Sequence, residues 1–174
     1  MSIELKKYIA CICEGSAEEA IIDILLDNHL LVFDRSDMID ESVIRCRNAR
    51  KFEEKYLGKG FDCQITILRI LDSRRENFKF SKAYMHKVSV QNIITAPEIE
   101  MLVILSEHKY KQYKSAGKKP SDYCKTNLGL ANVKSRDFIL DYFNDTDELI
   151  KAILEYKRIS NIPANERALA DILK

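Results

Sequence analysis

The run from Tyr8 to Glu19 constrains the fold more than any other stretch of the chain. Residues 9–13 are apolar, include β-branched side chains and are too few for a helix, which predicts a short buried strand. Gly15 allows a tight turn that bulkier residues resist. Ser16, with Glu19 three positions on, has capping-box spacing. Ala20, Ile21, Ile24 and Leu25 then recur at helical spacing across residues 17–26. The stretch therefore predicts a strand that ends on a carboxylate, Glu14, and turns directly into a helix. In open α/β sheets the carboxyl edge of the strands is where ligands and chemistry gather.

The same pattern returns downstream. In residues 63–71, Ile65, Ile67, Leu68, Ile70 and Leu71 are apolar on both faces, as in a strand covered on both sides; the run ends on Asp72. Residues 88–94 predict another strand, and Pro97 stands in the first turn of a helix carrying Ile99, Met101, Leu102, Ile104 and Leu105. Between these, residues 30–33 read as a short strand and 41–57 as a helix closed by Gly58 and Gly60. Strands alternating with helices predict an α/β fold, a parallel-rich sheet flanked by helices, with 9–13 and 64–71 as parallel neighbours. Past His108 the character changes. Residues 135–143, 147–158 and 165–173 predict three helices. The chain divides into an α/β domain of residues 1–110 and a small helical extension of 111–174, packed through Phe138, Tyr142, Ile150 and Leu154.

Composition mainly excludes. Lys and Arg number 28 against 27 Asp and Glu, a formal charge of +1, so any electrostatic argument rests on local patches. The five cysteines are odd in number and lack a CxxC pair, which predicts buried reduced thiols. No apolar run approaches membrane-spanning length and residues 1–7 have no signal-peptide core, which predicts a cytoplasmic protein without membrane association. No GxxxxGK[ST] and no GxSxG occurs, so neither P-loop ATP hydrolysis nor a serine hydrolase is expected. No two of His29, His86 and His108 have metal-ligand spacing.

Three acids hold special positions: Glu14 after the first strand, Asp72 after the middle strand, and Glu100 early in the helix after Pro97. Parallel neighbouring strands bring Glu14 and Asp72 to one sheet edge, where carboxylates repel unless a cation stands between them. Mg²⁺, or Mn²⁺ in its place, suits such a site, since it takes few carboxylates and keeps waters for a phosphate to replace. Arg74, Arg75 and Lys79 follow Asp72, with Phe78, Phe80 and Tyr84 among them. Cations and aromatic faces of this kind suit nucleic-acid phosphates and unpaired bases; a solvated basic surface is the plainer alternative. Lys109, Lys111, Lys114, Lys118 and Lys119 form a second basic stretch.

These residues together resemble the Toprim fold, shared by topoisomerases, bacterial primases and nucleases of the OLD and RloB-like groups. The strand followed by Glu14-Gly15, with acids at Glu18 and Glu19, is similar to its first motif. Asp72-Ser73-Arg74 stands where its DxD motif falls, with Arg74 in place of the second acid. The segment from Ala96 to Ile104 is similar to the P-x-x-E-x-L-L helix of RloB-like proteins, with Glu100 at the matching acid. The resemblance covers residues 8–108. It implies a Mg²⁺-dependent nuclease acting on phosphodiester bonds, of a kind associated with phage-defence or mobile-element systems. Glu14, Asp72 and Glu100 are then its catalytic and metal-binding acids, and Arg74, Arg75 and Lys79 its phosphate contacts. The missing second acid favours an alternative, a non-catalytic Toprim-like interaction module partnering an ATPase. A phosphate binder built on the Gly15-Ser16 helix start is a third reading. The chain lacks room for the further domains of a topoisomerase or a full primase.

Overall fold

The computed structural model describes residues 5–58, 63–72, 78–96, 98–163 and 166–174. A four-stranded sheet of order β2-β1-β3-β4 runs through the centre. Its strands are β1 (Tyr8–Cys13), β2 (Ile44–Arg45), β3 (Ile65–Leu71) and β4 (Val88–Ile94), and all three pairings are parallel. The expected neighbours β1 and β3 pair from Tyr8 opposite Ile65 to Cys13 opposite Ile70. Helices cover the sheet, so the chain is an α/β protein with a wholly parallel sheet. Among the described residues no helix is long and apolar enough to cross a membrane.

Alternation along the strands sorts the side chains between two cores. Ile9, Cys11, Cys13, Leu68 and Ile70 face the larger core, while Ala10, Ile12, Ile65 and Ile67 face a smaller one completed by Ile44, Phe52 and Leu57. Helix α1 (Ser16–Asp27) lays Ala17, Ala20, Ile21, Ile24 and Leu25 into the larger core. Each fully buried Ile or Leu contributes about 1.5–3 kcal/mol. The N-cap of α1 is Gly15, not Ser16. The expected capping box is not made because Arg45 takes both of its side chains: Nη2 donates to Ser16 Oγ at 2.5 Å and Nε to Glu19 Oε2 at 2.6 Å.

The region between α1 and β3 differs most from the sequence reading. Residues 30–33 form no strand; Leu31 makes one isolated antiparallel bridge to Leu173. The expected helix over 41–57 is divided. Ile44 and Arg45 pair with β1 as β2, and α2 (Ala49–Phe52) begins only where Asn48 caps it, its side chain accepting from Arg50 N at 2.8 Å. A wider helical turn, Glu53–Leu57, follows.

Helices α3 (Met101–Ser106), α4 (Tyr110–Ala116), α5 (Pro120–Tyr123), α6 (Arg136–Tyr142) and α7 (Thr146–Ile159) complete the chain. The helical tail shares the larger core instead of forming one of its own: Ile139, Phe143, Leu149, Ala152, Ile153 and Tyr156 join the side chains of α1, α3 and the sheet. Phe138 and Tyr142 pack at its margin as expected, but Leu154 is 51% exposed and Ile150 only partly covered. The buried face runs through positions 149, 152, 153 and 156, one step round the helix from Leu154. Within the segment read as a third tail helix, the described residues hold a short 3-10 turn, Leu169–Ile172. The C-terminal residues are tied to two distant places. Ile94 N donates to Arg167 O at 2.7 Å, Val32 N to Ile172 O at 2.9 Å, and Lys174 N to Leu30 O at 2.9 Å.

Candidate functional site

Glu14 immediately follows Cys13, the last residue of β1, and Asp72 immediately follows Leu71, the last of β3. Both therefore stand at the carboxyl edge of the sheet. The alternation of their strands nevertheless sets them at opposite parity. Glu14 follows the alternation of Ala10 and Ile12 toward the smaller core, whereas Asp72 follows Leu68 and Ile70 toward the larger one. On its own face Glu14 meets Arg69, Nη2 to Oε1 at 3.4 Å. Arg69 lies in β3 on the same parity as Ile65 and Ile67, is 1% exposed, and stacks its guanidinium over Phe78 at 4.3 Å. Cation and ring are close enough for a favourable quadrupole contact.

Asp72 and Glu100 share a second neighbourhood, on the α1 side of the sheet. Glu100 is the N-cap of α3 and only 3% exposed. Burial pushes its carboxyl up to about 7; its own backbone N–H and Lys134 oppose the rise, while Glu98 and Glu18 add to it. Glu18, in the first turn of α1, is likewise raised by burial, held down by its own backbone N–H, and raised by Asp72. Its carboxylate folds over Gly15, with Cδ 3.2 Å from where a Cβ would stand. Lys134 reaches Glu98 Oε1 at 3.5 Å, and Glu98 Oε2 accepts from Ser121 N at 3.2 Å. Burial lowers the Lys134 ammonium, but Glu100 and Glu98 outweigh it and the net shift is upward. Lys134 thus contacts Glu98 and feels the charges of Glu100 and Asp72.

Sequence reasoning singled out Asp72 and Glu100 but not Glu98, Lys134 or the role of Glu18. Lys134 comes from the tail, which carried no motif. Of the expected phosphate contacts, Lys79 is exposed, and Arg74 and Arg75 lie outside the described residues. Among the described residues no three His, Cys, Asp or Glu side chains form a group that could hold a metal ion. The donors are nonetheless hard carboxylate oxygens, which match Mg²⁺ or Mn²⁺ in chemistry. A Mg²⁺ ion commonly needs one or two protein carboxylates, with waters and phosphate oxygens as its other ligands.

A different surface opens on the Glu14 side. A cleft of about 530 Å³ is lined by Cys13, Glu14 and Ile44 and by residues of 45–56. Arg45, Arg47, Lys51 and Lys55 all line it, against the single carboxylate of Glu14. None of these cations stood out in sequence, because their segment read as an ordinary helix with Val43, Cys46, Ala49, Phe52 and Tyr56 as its apolar positions. Compared with family models, curated proteins and solved structures, the chain matches none of them.

Proposed function

We propose that the chain is a Toprim-like, Mg²⁺-dependent hydrolase of nucleic-acid phosphodiester bonds, working in the cytoplasm within a phage-defence or mobile-element system. What supports this reading is Asp72 at the carboxyl end of β3 with the buried carboxyls of Glu18 and Glu100: Asp72 raises Glu18, and Glu18 raises Glu100. Lys134 relieves the repulsion at Glu100, and Lys134 and Arg45 relieve it at Glu18, yet both carboxyls remain raised, which leaves the group able to accept a further cation. In this reading Asp72 and Glu100, assisted by Glu18, hold the Mg²⁺. When bound, the ion supplies Lewis-acid polarisation of a phosphoryl oxygen. Glu14 acts from the other face as the charge partner of Arg69. The test is cleavage of single- and double-stranded DNA and RNA with Mg²⁺ or Mn²⁺, by the wild type and by Asp72→Asn and Glu100→Gln. Cleavage lost in both variants is expected; equal activity in all three proteins removes these acids from the mechanism.

A second reading has its own support. Arg69 supplies Glu14 with a tethered cation, which suits a non-catalytic Toprim-like module that docks on an ATPase. Wild type that cuts no substrate with either metal, alone or with an ATPase partner, would decide for the module.

A further inference from the structure

The cleft beside Glu14 has an uneven charge balance. Two of its four cations are already neutralised. Arg45 is held by Glu19 and Ser16, and Lys55 by Asp40 at 3.5 Å and by Tyr56 Oη at 2.7 Å. Glu14, its one carboxylate, is in turn paired with Arg69. Arg47 and Lys51 have no carboxylate partner among the described residues. Arg47 reaches only the main-chain oxygen of Glu14, at 3.5 Å, the outer limit of a hydrogen bond. Two uncompensated cations therefore face one concave space in a chain whose formal charge is only +1. Such a recess concentrates positive potential and attracts a compact anion.

The number and kind of the cations say which anion. A phosphodiester carries one negative charge, whereas a terminal phosphomonoester carries about −1.5 to −2 at neutral pH and three acceptor oxygens. A guanidinium offers a bidentate contact and an ammonium a point charge, a combination that suits the doubly charged group. The cleft volume also lies in the range of small-ligand sites, about 300–1,000 Å³. Taking nucleic acid as the substrate class, which rests on the reading above, we propose that this cleft binds the terminal phosphomonoester of a nucleotide. Arg47 and Lys51 are its contacts, and the nucleotide is either free or the end of a strand. The acids on the opposite face then act at a distance from a held end, rather than anywhere along a strand.

Metal-free binding tests this separately from cleavage. Fluorescein-labelled single strands of ten nucleotides, ending in a 5′-phosphate, a 3′-phosphate or hydroxyls only, are titrated with the full chain in EDTA at 0.1 M salt. The wild type is expected to bind one phosphorylated strand at least tenfold tighter than the hydroxyl strand. Arg47→Ala/Lys51→Ala, checked by circular dichroism to be folded, is expected to lose that preference. Competition by adenosine monophosphate at similar concentration identifies a free nucleotide as the ligand; competition by phosphorylated strand alone identifies a strand end. Equal binding of phosphorylated and hydroxyl strands by the wild type, or an unchanged preference in the double variant, overturns the proposal. Preference without Mg²⁺-dependent cutting leaves the cleft assigned and removes the hydrolase; cutting without preference does the reverse.

Discussion

Arg69 Nη2 stands 3.4 Å from Glu14 Oε1, a guanidinium buried in the central strand β3 paired with a carboxylate at the end of its neighbour β1. The attraction between such partners is opposed by the cost of taking both from water, so the pair is a weak source of net stability. Breaking it is another matter, because the remaining charge stays buried. Arg69→Ala is expected to lose about 3–5 kcal/mol in urea unfolding. Glu14→Gln/Arg69→Met, which removes both charges and keeps volume, should recover most of that loss. A double variant no more stable than Arg69→Ala would mean that Arg69 is needed for contacts other than Glu14.

The Glu100 carboxyl gives a dependence on pH. Its ordinary value is 4.5 and burial pushes it up to about 7, so between these the folded protein holds a proton that the unfolded chain has released. Stability from this group is therefore complete below pH 4.5, falls as pH rises, and levels off above 7. The full change corresponds to about 3 kcal/mol. Urea midpoints at pH 5 and pH 8 should differ by less in Glu100→Gln than in the wild type. The same slope in both proteins would assign it to another group.

The tail is testable by contrast between adjacent positions. Ile153 is 1% exposed and Leu154 is 51% exposed, both in α7. Ile153→Ala should cost about 2–5 kcal/mol as a cavity in the core shared with α1 and the sheet. Leu154→Ala should change stability by no more than about 0.5 kcal/mol. Both variants should unfold in one transition; a separate early transition in Ile153→Ala would show the tail to be an independent unit.

Gly15 tests the packing at the strand-to-helix turn. Its φ of −114° is open to any residue, so the constraint is contact and not backbone conformation. A Cβ there would strike the Glu18 carboxylate. Gly15→Ala is expected to displace that carboxylate and disturb its approach to Asp72, with little loss in a Glu18→Ala background. A double-mutant cycle should show coupling above about 0.5 kcal/mol, as contacting residues do; additive effects would put the two out of contact.

How much was legible follows from which signals are local. The pairing of β1 with β3 was readable, because two-sided apolar runs separated by helical segments leave few other arrangements. Strand β2 was not, since two residues have no period, and Val43, Cys46, Ala49, Phe52 and Tyr56 mimic a helix face. The three acids lie next to strand or helix ends as expected, but which face each takes depends on parity. A strand end one residue longer sends its side chain to the other face, and Glu14 and Asp72 differ in this way. One signal went unused. Arg69 is a lone charge inside an otherwise apolar strand, and a buried charge requires a partner; Ile12 stands opposite it, and Glu14, two residues on, is the acid it reaches. Lys134 carried no comparable mark.

The ties made by residues 167–174 have a consequence for the order of assembly. The main-chain bonds from Ile94 to Arg167, from Val32 to Ile172 and from Lys174 to Leu30 join segments separated by many tens of residues. During synthesis β1 to β4 leave the ribosome long before the residues that bond to the end of β4 and to the loop after α1. Until then those two places offer unpaired backbone groups to any extended chain nearby. The end of β4 and the loop after α1 thus gain these main-chain partners only once the last residues have been made.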